Sequence, residues 1–215
     1  MRIRRTISAL VAVGLGAGAG LALAPAATAA EPPTGTSSLA ALLASDGDTF
    51  DRNWYDFDIL DQAVAAVLAA KPASPVAVLA DGTVPLTAFV PNDRAFQLLA
   101  WDLTHHWYGS EQKVLTALAG AVGIDAIEQV LLYHVVPGVT IDSSAALASD
   151  NAVLTTAQGG TFTVDVLSKR FALVQLKDQD RNDLNPFLIR RQLDLNAGNV
   201  QIAHGITFVL RPADL

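Results

Sequence analysis

The 215-residue chain contains no cysteine. That excludes disulfide staples, thiolate nucleophiles and a lipid-bearing N-terminal cysteine. Glutamate is scarce too: Glu31, Glu111 and Glu128 are its only occurrences. A glycosidase-type carboxylate pair would have to rest on aspartates that the sequence does not place. Basic residues are outnumbered, 14 Lys+Arg against 21 Asp+Glu. A chain of that sign repels phosphate backbones and anionic lipid surfaces, so neither nucleic acid nor a membrane surface is expected as a partner. Gly-x-Ser-x-Gly, His-Glu-x-x-His and Gly-x-Gly-x-x-Gly are absent, and no enzyme activity and no cofactor are expected. Beyond residue 30 no stretch reads as long and apolar enough to cross a bilayer, so the mature chain is not expected to insert into one.

What is present begins with an export segment. Arg2, Arg4 and Arg5 open the chain, an uncharged Ala/Gly/Leu/Val run follows, and Pro25-Ala26-Ala27-Thr28-Ala29-Ala30 closes it. This is the layout of a secretory signal peptide, with Ala27-Thr28-Ala29 as the small-x-small cleavage signal. Arg4-Arg5 leaves both the general and the twin-arginine export routes open. Cleavage after Ala30 removes all three arginines and leaves 11 basic against 21 acidic residues, a formal charge of −10. The remainder is long enough to bury a single core without disulfides. With Arg211-Pro212-Ala213-Asp214-Leu215 at the end of the chain, the expectation is a freely secreted, extracellular protein.

Residues 31–50 read as a mobile polar leader, apart from a short helix at 39–44, and residues 51–215 as one domain. Leu60, Ala63, Val64, Val67 and Leu68 make an amphipathic helical stripe that Lys71-Pro72 ends. Leu86, Ala88 and Val90 alternate with Thr87 and Phe89 as a strand, which Pro91 stops because it has no N–H to donate. Asn92 caps a helix to about Trp101 that carries Phe96 and Leu99. Ser110 caps another with Val114, Leu115 and Leu118, and Asp125 and Glu128 have capping-box spacing at the head of a helix ending near His134. Strands follow at 153–157 and 162–166 around Gly159-Gly160, then at 171–176, 193–195, 200–203 and 206–210. Helices cluster in the first half and strands in the second, so the class is α+β.

Two segments carry the most information: Thr87-Ala88-Phe89-Val90-Pro91-Asn92-Asp93-Arg94-Ala95-Phe96 and Leu131-Leu132-Tyr133-His134-Val135-Val136-Pro137-Gly138. In this order they resemble the two signature regions of the fasciclin-like (FAS1) domain, here of a secreted bacterial type. The resemblance implies a single FAS1-like domain in which helices pack on a β-rich wedge formed mainly by the second half. It implies a non-enzymatic role in cell adhesion or in matrix and cell-envelope contact, with an extracellular protein or glycan as partner. Through the family it associates Tyr133 and His134 with binding. The closing segment departs from the family pattern. His204-Gly205-Ile206 is expected to keep a glycine turn, but the usual Asn, strand His and Asp are missing. The positions matching an integrin-linked Asp-Ile pair of some animal members are Asn199-Val200, and no Arg-Gly-Asp occurs.

His134 falls on the apolar stripe of Ile127, Val130 and Leu131, so it should point inward as a core histidine rather than as a ligand or base. Trp101, Trp107 and Tyr108 form a candidate aromatic surface of the kind sugars stack on, the plainer reading being that they seal a helix edge. This leaves an extracellular small-molecule or glycan-binding protein as the alternative function. Adjacent His105 and His106 diverge and chelate poorly. Asp178, Asp180 and Asn182 match the start of a calcium loop. Asp183 stands where that loop needs glycine, however, and a solvated turn is the plainer reading. Asp46, Asp48, Asp51 and Asn53 form a second, similar cluster.

Overall fold

The computed structural model describes residues 33–47 and 49–214, so the expected signal peptide lies outside the described residues. The helices come mainly from the first half: α1 (Leu39–Leu43), α2 (Asp58–Ala70), α3 (Asp93–Thr104), α4 (Glu111–Tyr133) and α5 (Ser143–Ala148). The strands are β1 (Leu86–Pro91), β2 (Val135–Pro137), β3 (Val153–Thr155), β4 (Thr161–Ser168), β5 (Leu173–Lys177) and β6 (Gln201–Ile206). They build two three-stranded sheets, in the orders β2-β1-β6 and β3-β4-β5.

Strand β1 is central. It pairs antiparallel with β2, Thr87 opposite Val136, and parallel with β6, Ala88 opposite Ala203. All six of its residues are buried, and alternation sends them to opposite sides. Leu86, Ala88 and Val90 join the helical core with Ile59, Val67, Phe96 and Leu131. Phe89 joins a second core with Tyr133, Phe162, Val164, Leu176 and Leu210. Pro91 closes the strand, and Asn92 caps α3 by accepting a hydrogen bond from the Ala95 N–H at 3.1 Å.

Several expectations change. From Gly35 onward the polar leader belongs to the fold. Gly35 N–H donates to Gly198 O (3.0 Å), Leu39 N–H donates to the Gln201 side chain (2.8 Å), and Leu39 and Leu43 are buried. Two apolar residues on one helical face were enough to dock the segment once Gly198 and Gln201 supplied hydrogen-bond acceptors. Helix α3 runs on to Thr104 and ends where His105 takes a left-handed conformation, φ 52°. The Ser110 hydroxyl makes no capping bond. Asp125 and Glu128 converge on Lys71 Nζ, the latter at 2.6 Å, so the capping-box spacing serves an inter-helix ion pair.

Helix α4, at 23 residues, is long and apolar enough to cross a membrane by composition alone, contrary to expectation. Gly123 (φ 80°) breaks it into two segments whose buried side chains, Val114, Leu118 and Val130 to Tyr133, pack into the protein's cores.

The expected glycine turn at 204–205 does not exist: β6 runs straight through it, and 207–210 is not a strand. Turn geometry falls instead on Gly198, φ 86°. Gly205 is needed for close approach, because a Cβ there would sit 2.6 Å from Gln192 Cβ. Gly205→Ala should therefore destabilise the fold by about 1–3 kcal/mol. In urea unfolding this appears as a lower midpoint with an unchanged slope.

Candidate functional site

The two signature segments meet at β1. The Phe89 N–H donates to His134 O (2.9 Å), which joins the end of α4 to the strand. His134 is buried, and both of its ring nitrogens are engaged. Nδ1 lies 2.7 Å from Val130 O and Nε2 accepts the Leu210 N–H at 2.9 Å. A carbonyl on one nitrogen and an N–H on the other fix the neutral Nδ1–H tautomer. Burial pushes its pKa down to about 4. Tyr133 is fully enclosed, and its hydroxyl donates to Thr161 O at 2.6 Å. Burial pushes that phenol up to about 12. Thr87 Oγ1 donates to Val139 O and accepts the Ile141 N–H, both at 2.8 Å. Gly138, φ 79°, turns the chain out of β2 after the exposed Pro137.

A second buried histidine was not legible as such. His204 lies inside β6 against Phe89, with Nε2 2.8 Å from Ile141 O and Nδ1 accepting the Asp194 N–H at 3.2 Å. Its pKa is also lowered by burial. The only available signal was its place in the period-2 pattern of 201–206.

On the surface, Trp101 and Trp107 are each 49% exposed. No ring–ring contact among the described residues joins Trp101, Trp107 and Tyr108 to one another. Trp101 meets His105 edge-on, Tyr108 meets His106, and Trp107 lies on the Arg94 guanidinium at 5.5 Å. Arg94 also lies over Trp54, at 5.9 Å. It opens onto a groove of about 670 Å³ with Tyr55, Leu98, Arg191, Gln192 and Phe208 in its walls. Tyr55 is 66% exposed, so an aromatic face and two arginine side chains border an accessible concavity.

A model of the fasciclin domain matches residues 60–185. The chain belongs to the fasciclin domain family. Among solved structures it is similar to a FAS1 domain pair from the insect cell adhesion molecule fasciclin I. The two are 16% identical with a TM-score of 0.49, over 71% of this chain and 47% of that one. The chain thus spans about half the length of that structure. A comparison with curated protein sequences gave no match.

Within this FAS1 domain the pair that the family links to binding is internal, so neither Tyr133 nor His134 offers its side chain to a partner. The candidate calcium positions also take another role. Asp178 and Asp180 each accept the backbone N–H two residues on, from Asp180 and Asn182. The positive group among these acids is Arg211, bonded to Asp183, to Asp102 (2.9 Å) and, at 3.6 Å, to Asp180. A guanidinium from the chain's end occupies the place assigned to a cation. Burial nevertheless holds the Asp178 carboxyl up at about 6.

Another acidic group was missed because its members are far apart in sequence. Asp51, Asp56, Asp58, Asp93 and Glu111 gather at the starts of α2, α3 and α4. Burial, then the neighbouring acids, push Asp93 up to about 9 and Glu111 up to about 7.

His134→Ala should cost about 1–3 kcal/mol by leaving the Leu210 N–H unpaired, read as a lower Tm. Neutral His134 also sets a pH dependence. Above pH 6.5 it is neutral in both folded and unfolded chains. Between 6.5 and about 4 only the unfolded chain takes up the proton, so stability falls with pH by about 3 kcal/mol and then levels off. Subtracting the stability–pH profile of His134→Gln from that of the wild type isolates this contribution.

Proposed function

We propose that this FAS1 domain is a secreted, non-enzymatic module that makes extracellular contacts, in cell adhesion or with matrix and cell-envelope material. The observation that carries this reading is the fasciclin match over residues 60–185, in a family associated with cell adhesion. The acidic, cysteine-free composition and the signal-peptide pattern at residues 1–30 support export. The buried histidines support a non-catalytic role. His134 and His204 have both ring nitrogens committed to the backbone, so neither is free to move a proton to or from a substrate.

In this reading Tyr133 and His134 hold the scaffold, and contact is made elsewhere. The groove beside Arg94 is the surface best suited to it. Tyrosine and arginine are the residues that most often dominate interface energetics, and Tyr55 and Arg191 stand at its walls. The same groove favours a second reading, in which a glycan bearing carboxylate groups is the ligand. Its aromatic face would stack on a sugar ring and the Arg191 guanidinium would pair with the acid.

Retention on cell-envelope and extracellular material, measured with purified protein, tests both readings. The combined Tyr55→Ser and Arg191→Glu variant should bind at least about tenfold more weakly at unchanged Tm. Folded His134→Gln should bind like the wild type. Retention by no surface would overturn the proposal, and loss confined to His134→Gln would return the contact to the buried pair. Competition by an acidic glycan would favour the second reading.

A further inference from the structure

We propose that the acidic group around Asp56 is a calcium site, built from the 51–56 loop and the first turns of α2, α3 and α4. Ligand oxygens of Asp51, Asp56 and Glu111 lie within 4.8 Å of one another, and so do those of Asp56, Asp58 and Asp93. Asp56 belongs to both sets. That spacing is what oxygens on opposite sides of one calcium ion adopt, with bonds of about 2.3–2.6 Å each.

The second observation is the state of the oxygens themselves. Asp93 and Glu111 are fully buried, and each uses one carboxylate oxygen in the fold. Asp93 Oδ1 accepts the Ile59 N–H at 2.9 Å, and Glu111 Oε2 accepts the Asp51 N–H at 2.7 Å. Their other oxygens, Asp93 Oδ2 and Glu111 Oε1, are buried and receive no donor from the rest of the fold, and the same holds for Asp56 Oδ1. Asp56 and Asp93 can satisfy each other only by sharing a proton. Orphaned buried acceptors on three neighbouring carboxylates are costly unless a positive group completes them.

Among the described residues no ion pair reaches Asp51, Asp56, Asp93 or Glu111. Two guanidinium groups adjoin these acids in sequence: Arg52 is exposed and makes no ion pair with them among the described residues, and Arg94 is turned to Gln97 and to the rings of Trp54 and Trp107. Helix dipoles favour each carboxylate singly, since Asp58, Asp93 and Glu111 all sit in first turns, but they do not relieve the repulsion among them. The donor set selects the ion. It is all carboxylate oxygen, with no imidazole or thiolate, which disfavours zinc and copper. As many as five carboxylates exceed the one or two that magnesium usually takes while keeping its waters. The competing explanation is that the acids share protons and bind no metal.

The test uses the full secreted chain stripped with EDTA. Thermal unfolding is followed without metal, with calcium chloride and with magnesium chloride, and calcium titration calorimetry gives the stoichiometry. Calcium should raise Tm by about 5 °C or more at saturation, with one ion per chain, and magnesium should do markedly less. Asp93→Asn combined with Glu111→Gln should raise the metal-free Tm, by removing repulsion, and abolish the calcium response. If that variant does not fold, Asp56→Asn alone should lose the response. Asp180→Asn, in the acidic turn held by Arg211, should respond like the wild type. The proposal is overturned if calcium gives neither heat nor a Tm shift. It is equally overturned if magnesium matches calcium, or if the response survives the Asp56, Asp93 and Glu111 changes or is lost with Asp180→Asn.

Discussion

Everything in this domain is arranged about a strand that is buried on both faces. β1 has neighbours on both edges, and where β2 and β6 stop, adjoining residues take over: the Phe89 N–H donates to His134 O and the Leu86 N–H to Val200 O. Its side chains alternate between two cores that otherwise have little in common, one helical and one β-rich. A one-residue slip would send Phe89 into the helical core and Leu86, Ala88 and Val90 into the other. Thr87 has the strand's only side-chain hydroxyl, and bonds to Val139 and Ile141 anchor it to the chain leaving β2.

His134 works at the joint between these cores. Its carbonyl holds Phe89 in β1, Nδ1 closes the last turn of α4, and Nε2 receives the Leu210 N–H from the chain's closing segment. An imidazole suits this place because it offers one donor and one acceptor on a rigid, compact ring. An ionised ring could not accept the Leu210 bond, so burial and hydrogen bonding both hold it neutral. The same logic recurs at His204, where β6 meets the segments around Ile141 and Asp194. Both histidines are committed to the scaffold, and the accessible aromatic and basic side chains lie elsewhere, where Tyr55, Arg94 and Arg191 border a groove.

Charge is distributed unevenly between two acidic groups. Around residue 180 the acids are met by Arg211 from the far end of the chain, which reaches Asp180 Oδ2 at 3.6 Å as an ion pair without a hydrogen bond. Around residue 56 they are gathered by three helix starts and leave buried oxygens unpartnered. The contrast follows from topology. The chain's closing segment passes one group and not the other.

Local pattern determined much of this protein. The β1 alternation, the Pro91 stop, the Asn92 cap, the α2 stripe and the β3–β4 hairpin were legible because each rests on neighbours within a few residues. So was the inward direction of His134, which needs only the helical period. Gly205 was misread as a turn because glycine in sequence does not distinguish a positive φ from a close approach, and only Gln192, 13 residues away, makes the difference. The docking of Leu39 and Leu43, the guanidinium among the Asp178–Asp183 acids, the groove walls and the cluster of Asp51, Asp56, Asp93 and Glu111 were decided by tertiary structure alone. Each depends on side chains tens of residues apart meeting in space, and no local periodicity or capping rule encodes that meeting.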